Sequence, residues 1–327
     1  MPANLTPDYR NAEERFKSAE TIPDKLFALE EMLATIPKHK GTEKMQADIK
    51  RRLARLKQEA QKRPAVARQA TLSHLDKEGA GQVALVGPPN SGKSSILGAT
   101  TKAIPEIADY PGTTRLPLPG MAVFENVQMQ FVDMPPFARD YVQPWMFNLL
   151  RNADAAIVVL DAGDDDIIAA AEEMMNVLDE ARIRLHHPLA MPLPEVFKPA
   201  IVAANKADKP DAPSRIELIR ELLGRGLPVV PTSITDKESL SRLERLVFYD
   251  VLGLIRIYTR APGKKPDLDE PFVIPKETSV LDAARRIHKD IARNLKYARV
   301  WGRLVFDGQM VPRDYVMQDG DIVEFHA

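Results

Sequence analysis

Cysteine is absent from the chain, so disulfide stapling and thiolate metal sites are excluded. That absence fits a reducing cytoplasm without requiring one. Long hydrophobic runs are missing as well: no stretch of about 18 apolar residues is present to span a bilayer. The opening MPANLTPDYRNAEERF has no apolar segment behind a basic start, so it does not read as a secretory leader. Together these absences point to a soluble, cytoplasmic protein with no membrane partner. Net charge is also lacking, since 45 Lys and Arg stand against 46 Asp and Glu. That balance excludes a chain-wide polyanion binder. Basic charge is instead local, eleven Lys and Arg against three Asp and Glu in residues 38–68, so any nucleic-acid contact is expected to be local. A solvated helical face is the competing reading of that stretch.

What is present is an ordinary balance of 44% hydrophobic and 28% charged residues over 327 positions, enough for two or three domains. Leu26, Leu29, Leu33 and Ile36, then Met45, Ile49, Leu53 and Leu56, follow helical spacing on either side of a break at residues 37–41. This spacing predicts a helical hairpin, which with a basic connector fills residues 1–80. From residue 81 the texture changes. Short runs rich in Val, Ile and Ala at 83–86, 127–132, 155–160, 200–204 and 227–230 alternate with amphipathic segments. That pattern predicts an α/β domain over 81–255, its mostly parallel, doubly wound sheet buried on both faces. Residues 256–270 are dense in Pro and charge and read as a linker. A small α+β module over 271–327 follows, with Ser279 as the cap of its helix.

The strongest motif is Gly87-Pro88-Pro89-Asn90-Ser91-Gly92-Lys93-Ser94, a phosphate-binding loop directly after a predicted strand and before a helix starting at Ser95. Loop and helix amides face negative charge, Lys93 reaches the β and γ phosphates, and Ser94 offers an oxygen to Mg²⁺. Base choice comes from Asn205-Lys206-Ala207-Asp208 at the end of a later strand. The Asp208 carboxylate accepts from N1–H and the exocyclic amine of guanine, whereas adenine would leave it unpaired. Asn205 reaches the far edge of the base and the Lys206 stem covers its face. Ser233 is a candidate to present its backbone amide to the guanine oxygen, the alternative being an ordinary turn.

Asp133 ends a strand at the position of a carboxylate that holds Mg²⁺ through water; the alternative is a turn aspartate. Between loop and carboxylate lies Asp109-Tyr110-Pro111-Gly112-Thr113-Thr114-Arg115, a turn-rich segment of the switch type. There Thr114, preferred to Thr113, completes the metal shell and senses the γ phosphate. Lys93, Thr114 and Asp133 are the candidate catalytic residues.

With these motifs in hand, the sequence resembles the Obg-like branch of GTPases, and within it the developmentally regulated GTP-binding (DRG) family. The likeness rests on GPPNSGKS, DYPGTTR, DMPP, NKAD and TS in order, on LDEARIRL, and on RRIHKDIARNLKYARVWG in the terminal module. The resemblance implies a P-loop G domain, a ubiquitin-like β-grasp TGS domain at 271–327, Mg²⁺ as cofactor and slow GTP hydrolysis. It also implies contact with ribosomes or structured RNA through the TGS module and the basic hairpin, and relatives of this kind use accessory proteins. Residues 186–198 are short where eukaryotic members carry an inserted domain.

Two departures stand out. Family members continue the metal aspartate as D-x-x-G, and the glycine amide grips the γ phosphate. Here that position is Pro136, which has no amide hydrogen, and position 137 is Phe, so no glutamine orients water there, as is common in the Obg-like branch. Asn90 matches the asparagine of potassium-activated GTPases, making K⁺ a candidate second cation, against a plain polar loop residue. Three readings follow: a GTPase coupled to a ribosome-bound or RNA-bound task, a guanine-nucleotide-binding adaptor that lost its switch at Pro136, and an RNA-binding scaffold with a vestigial site. His288 and Trp301 read as a surface residue and a core residue respectively.

Overall fold

The computed structural model describes residues 9, 12–13, 15–16, 22–36, 45–54, 75–101, 116–186, 196–223 and 226–326. The chain divides into two compact units, Met1–Leu72 and Ser73–Ala327. In the first, the helix Ile22–Thr35 turns Leu29 and Met32, with Ile36 just past its end, toward Ile49 and Leu53 of helical residues 45–54, and Tyr9 and Ala12 join the cluster. Side chains three and four apart share a helix face, which is why these leucines and isoleucines meet. Lys50, Arg51 and Arg52 of the basic stretch are exposed. The break at 37–41 and residues 55–74 of the connector lie outside the described residues.

The second unit opens with a sheet in the order β2-β3-β1-β4-β6-β5, with β7 also on β6. Its strands are β1 Gln82–Val86, β2 Leu118–Phe124, β3 Val127–Asp133, β4 Ala155–Asp161, β5 Ile183–His186, β6 Val196–Asn205 and β7 Val229–Pro231. Pairing is parallel except between β2 and β3. Every residue of β1 is buried, as expected of a central strand covered by helices on both faces. Val83, Leu85, Phe131, Ile157 and Ile201 form one core with Ile96, Leu97, Leu243 and Phe248. The sheet order reverses at β1, flanked by β3 and β4. Such a switch point leaves a crevice beyond the strand's carboxyl end, and the phosphate loop sits there.

The helix Lys237–Leu246 does not close the domain as a plain α-helix: it widens into a π-helical turn, Val247–Val251. Directly after it comes β8, Leu254–Thr259, which belongs to a second, mixed sheet. Its order is β11-β10-β12-β8-β9, with β9 Phe272–Pro275, β10 Tyr297–Trp301, β11 Gln309–Val311 and β12 Asp321–His326. Residues 256–259 are therefore strand and not linker, because β8 pairs with both β9 and β12. The expected single helix of this module is two, Val280–Ile287 and Lys289–Asn294, meeting at extended His288. Ser279 caps the first by accepting from the Asp282 amide at 3.1 Å. Val280, Ala283 and Ala284 pack with Ile257, Val300 and Val323 beneath the sheet. Among the described residues no helix is long and apolar enough to cross a membrane.

Candidate functional site

Two glycines let the loop after β1 wrap tightly. A Cβ on Gly87 would lie 2.3 Å from the Val159 carbonyl oxygen, and one on Gly92 would lie 2.1 Å from Asn205 Nδ2. Gly92 also stands at φ +93, in the left-handed region that favours glycine. The helix begins at Lys93, earlier than expected, and runs to Thr100, so its first amides face the loop's interior. Lys93 is 6% exposed. Its ammonium donates to the Gly87 and Pro88 carbonyls at 3.1 and 2.8 Å and approaches Ser91 Oγ at 3.4 Å. The cation is thus held over the loop that its charge would help to fill with phosphate. Pro89, Asn90, Ser94 and Ser95 are exposed, and Asn90 is left-handed at φ 58.

Asp133 closes β3 in parallel register with Leu85 of β1, which carries its carboxylate to the mouth of the loop. The Ser94 hydroxyl donates to Asp133 Oδ2 at 2.5 Å. A hydroxyl and a carboxylate side by side are hard oxygen donors of the kind Mg²⁺ selects. Thr113 and Thr114 lie outside the described residues.

Beyond Asp133 the chain stays against the loop. The Met134 amide donates to the Leu85 carbonyl at 3.3 Å and the Phe137 amide to the Gly87 carbonyl at 3.1 Å. Between them sits Pro136, which has no amide to give. Phe137 is fully buried, and its ring meets Phe147 edge-on at 6.1 Å. It serves the core, far from the role of orienting water.

The base motif converges on the same crevice. Asn205, 2% exposed at the end of β6, donates its side-chain amide to the Ser91 carbonyl at 2.9 Å. Its Oδ1 is buried without a hydrogen-bond partner. Lys206 stands at φ 59 and its ammonium pairs with Asp161 Oδ2 at 2.5 Å. Asp161 ends β4 in register with Asn205, so the β4–β6 pairing sets this brace. Exposed Asp208 accepts from the Ser233 hydroxyl at 2.6 Å, and that hydrogen bond holds its carboxyl below the usual range.

Ser233 therefore acts differently from the sequence expectation. Its backbone amide donates to Ser239 Oγ at 3.0 Å, so it is not available to a guanine oxygen. The hydroxyl instead fixes the Asp208 carboxylate. Sequence reasoning also missed Asp161 and Ser239. Each acts through a strand register or a turn that no local motif encodes.

Residues 82–193 match the family described as 50S ribosome-binding GTPase, and residues 255–327 match the TGS domain family. An uncharacterized GTP-binding protein of Methanocaldococcus jannaschii is 27% identical over 361 aligned residues, covering 92% of each chain. Because that alignment is longer than the 327 residues of this chain, the relative carries residues that this chain lacks. Developmentally-regulated GTP-binding protein 2 of Mus musculus is 25% identical over 93% of this chain and 98% of its own. A GTP binding protein from Pyrococcus horikoshii shares the fold with a TM-score of 0.51 at 20% identity, covering 75% of this chain and 99% of that one.

Proposed function

We propose, for a chain that joins a G domain to a TGS domain and is a homologue of the developmentally regulated GTP-binding proteins, slow GTP hydrolysis coupled to association with ribosomes or structured RNA. One observation carries the guanine-nucleotide part: Asn205 of the base motif is hydrogen-bonded to Ser91 of the phosphate loop, so both recognition elements belong to one site. Asp208, oriented by Ser233, reads the guanine edge. Gly87 to Ser95 enclose the phosphates, and Lys93 balances their charge.

Hydrolysis adds water oxygen to the γ phosphorus and breaks its bond to the β–γ bridging oxygen, yielding GDP, inorganic phosphate and a proton. The chain's contribution is positioning and charge stabilisation. Mg²⁺, when bound, neutralises charge on the β and γ phosphates. Ser94 would hold it directly and Asp133 through water, with Thr114 completing the shell. Asn90, exposed at the loop's turn, is the candidate K⁺ ligand. Faster hydrolysis in K⁺ than in Na⁺ at equal ionic strength supports that role, and equal rates remove it.

A second reading, a guanine-nucleotide-binding adaptor with little turnover, is favoured by Pro136 and by the Phe137 amide already bound to the Gly87 carbonyl. Single-turnover hydrolysis of GTP by the purified chain, alone and with ribosomes, separates the two. Turnover that ribosomes accelerate supports the first; tight GTP binding without turnover in either condition supports the adaptor. RNA association through the basic hairpin predicts a linear fall of log affinity with log salt. The physiological RNA, an accessory protein and the cytoplasmic setting belong to the same proposal.

A further inference from the structure

A polar knot centred on Arg256 joins the two sheets of the larger unit. Arg256, in β8, is 8% exposed, and its guanidinium serves both domains. Toward the C-terminal module it donates to Asp319 Oδ2 at 2.8 Å and Oδ1 at 3.2 Å. Toward the G domain it pairs with Glu125 and donates to Asn126 Oδ1 at 3.3 Å. It also donates to the Tyr249 hydroxyl at 2.9 Å, and that hydroxyl donates to Asp319 at 2.7 Å. Asn126 adds its own link, donating to the Tyr258 hydroxyl at 3.0 Å and the Leu268 carbonyl at 3.2 Å. Beneath lies an aromatic cluster in which Phe124 meets Phe248 at 5.3 Å and Tyr249 at 5.6 Å.

The G-domain end of this knot is the tip of the β2–β3 hairpin. Seven residue pairs run from Phe124 opposite Val127 at the tip to Leu118 opposite Asp133 at the base, roughly 20 Å at about 3.3 Å per residue. At the base, β3 delivers Asp133 to Ser94, and β2 begins just after the switch-type segment 109–115. At the tip, Glu125 holds a left-handed φ of 51, a conformation that non-glycine residues adopt at a cost. A hydrogen-bonded ribbon of this length moves as a unit. Arg256 is held by Asp319 on one side and by Glu125 and Asn126 on the other, so a shift of the hairpin that keeps its contacts to Arg256 carries β8 with it.

We propose that the β2–β3 hairpin is the lever by which nucleotide state at Ser94 and Asp133 sets the position of the C-terminal sheet, with Arg256 as the coupling. The proposal rests on the guanine-nucleotide reading of the site and adds its regulation. Coupling of this kind is reciprocal, so the C-terminal module also biases which nucleotide the G domain holds.

The test is hydrogen–deuterium exchange on the full chain loaded with Mg²⁺ and either GDP or a non-hydrolysable GTP analogue, with binding of each checked by fluorescence. Peptides covering residues 254–259 and 319–326 are expected to exchange at rates differing roughly fivefold or more between the two states. Glu125→Ala, which leaves the Arg256–Asp319 pair intact, should abolish that difference while both nucleotides still bind. Asn126→Ala, should the first variant melt early, carries the same expectation. Failure of the native chain to bind either nucleotide overturns the site reading and the lever together. Binding with equal exchange in both states overturns the lever alone, as does a difference that survives in both variants.

Discussion

The side-chain amide of Asn205 donates to the carbonyl of Ser91 at 2.9 Å, linking residues 114 apart in sequence. The contact makes the phosphate loop and the base motif a single device, and Gly92 leaves room for it. Gly92→Ala should be severe, because its Cβ would sit 2.1 Å from Asn205 Nδ2 at φ +93. Asn205→Ala strands the Ser91 carbonyl at a cost of roughly 1–3 kcal/mol. Titration with fluorescent GDP should show affinity falling about 5- to 150-fold for Asn205→Ala and more for Gly92→Ala. Unchanged affinity in both would separate the two motifs.

In the proposed site Asp208 would choose the base. Its carboxylate would accept two hydrogens from guanine, so Asp208→Asn replaces an acceptor with an amide that can donate to the 2-oxo group of xanthine. Competition binding should show GTP weakened and XTP strengthened. Ser233→Ala, which removes the donor that orients Asp208, should weaken GTP and GDP alike without admitting XTP.

Pro136→Gly supplies an amide where the chain now has none. The expected outcome is a higher ratio of GTP to GDP affinity, measured by competition against one fluorescent nucleotide. An unchanged ratio would place the γ-phosphate contact elsewhere, since the Phe137 amide is committed to Gly87.

Glu244 makes stability fall with pH. Buried at 9% exposure, it is pushed up by desolvation from 4.5 to about 7. The folded state then holds a proton that the unfolded state has released, so stability drops as pH rises from 4.5 to about 7 and is level above that. The loss is on the order of 3 kcal/mol. Glu244→Gln, which mimics the protonated acid, should raise Tm by several degrees at pH 8 and leave it unchanged near pH 4. An equal effect at both values would show that the carboxyl does not titrate in this window.

Much of this was legible in the sequence where a single segment encodes both geometry and chemistry. Gly87 to Ser94 and Asn205 to Asp208 are such segments, and β1 and β4 announce themselves as continuous apolar runs. β2 is not among the apolar runs of the sequence: Pro119 and Gly120 interrupt its pattern, and it forms because β3 offers an antiparallel edge. The linker expected from Pro and charge density overlaps β8 at 256–259, and only pairing with β9 and β12 gives those residues to the second sheet. The Lys206–Asp161 brace, the Ser239 capture of the Ser233 amide and the Arg256 knot all depend on register between distant strands and turns. Such register comes from packing, which local periodicity does not report.

The central claim is that residues 87–94 and 205–208 form one guanine-specific site. Equilibrium binding of fluorescent GDP in Mg²⁺, competed by unlabelled GTP, GDP and ATP in turn, tests it most directly. The account predicts displacement by GTP and GDP, none by ATP at equal concentration, and loss of binding in Lys93→Ala. Equal displacement by ATP, or no binding of GDP at all, would contradict it.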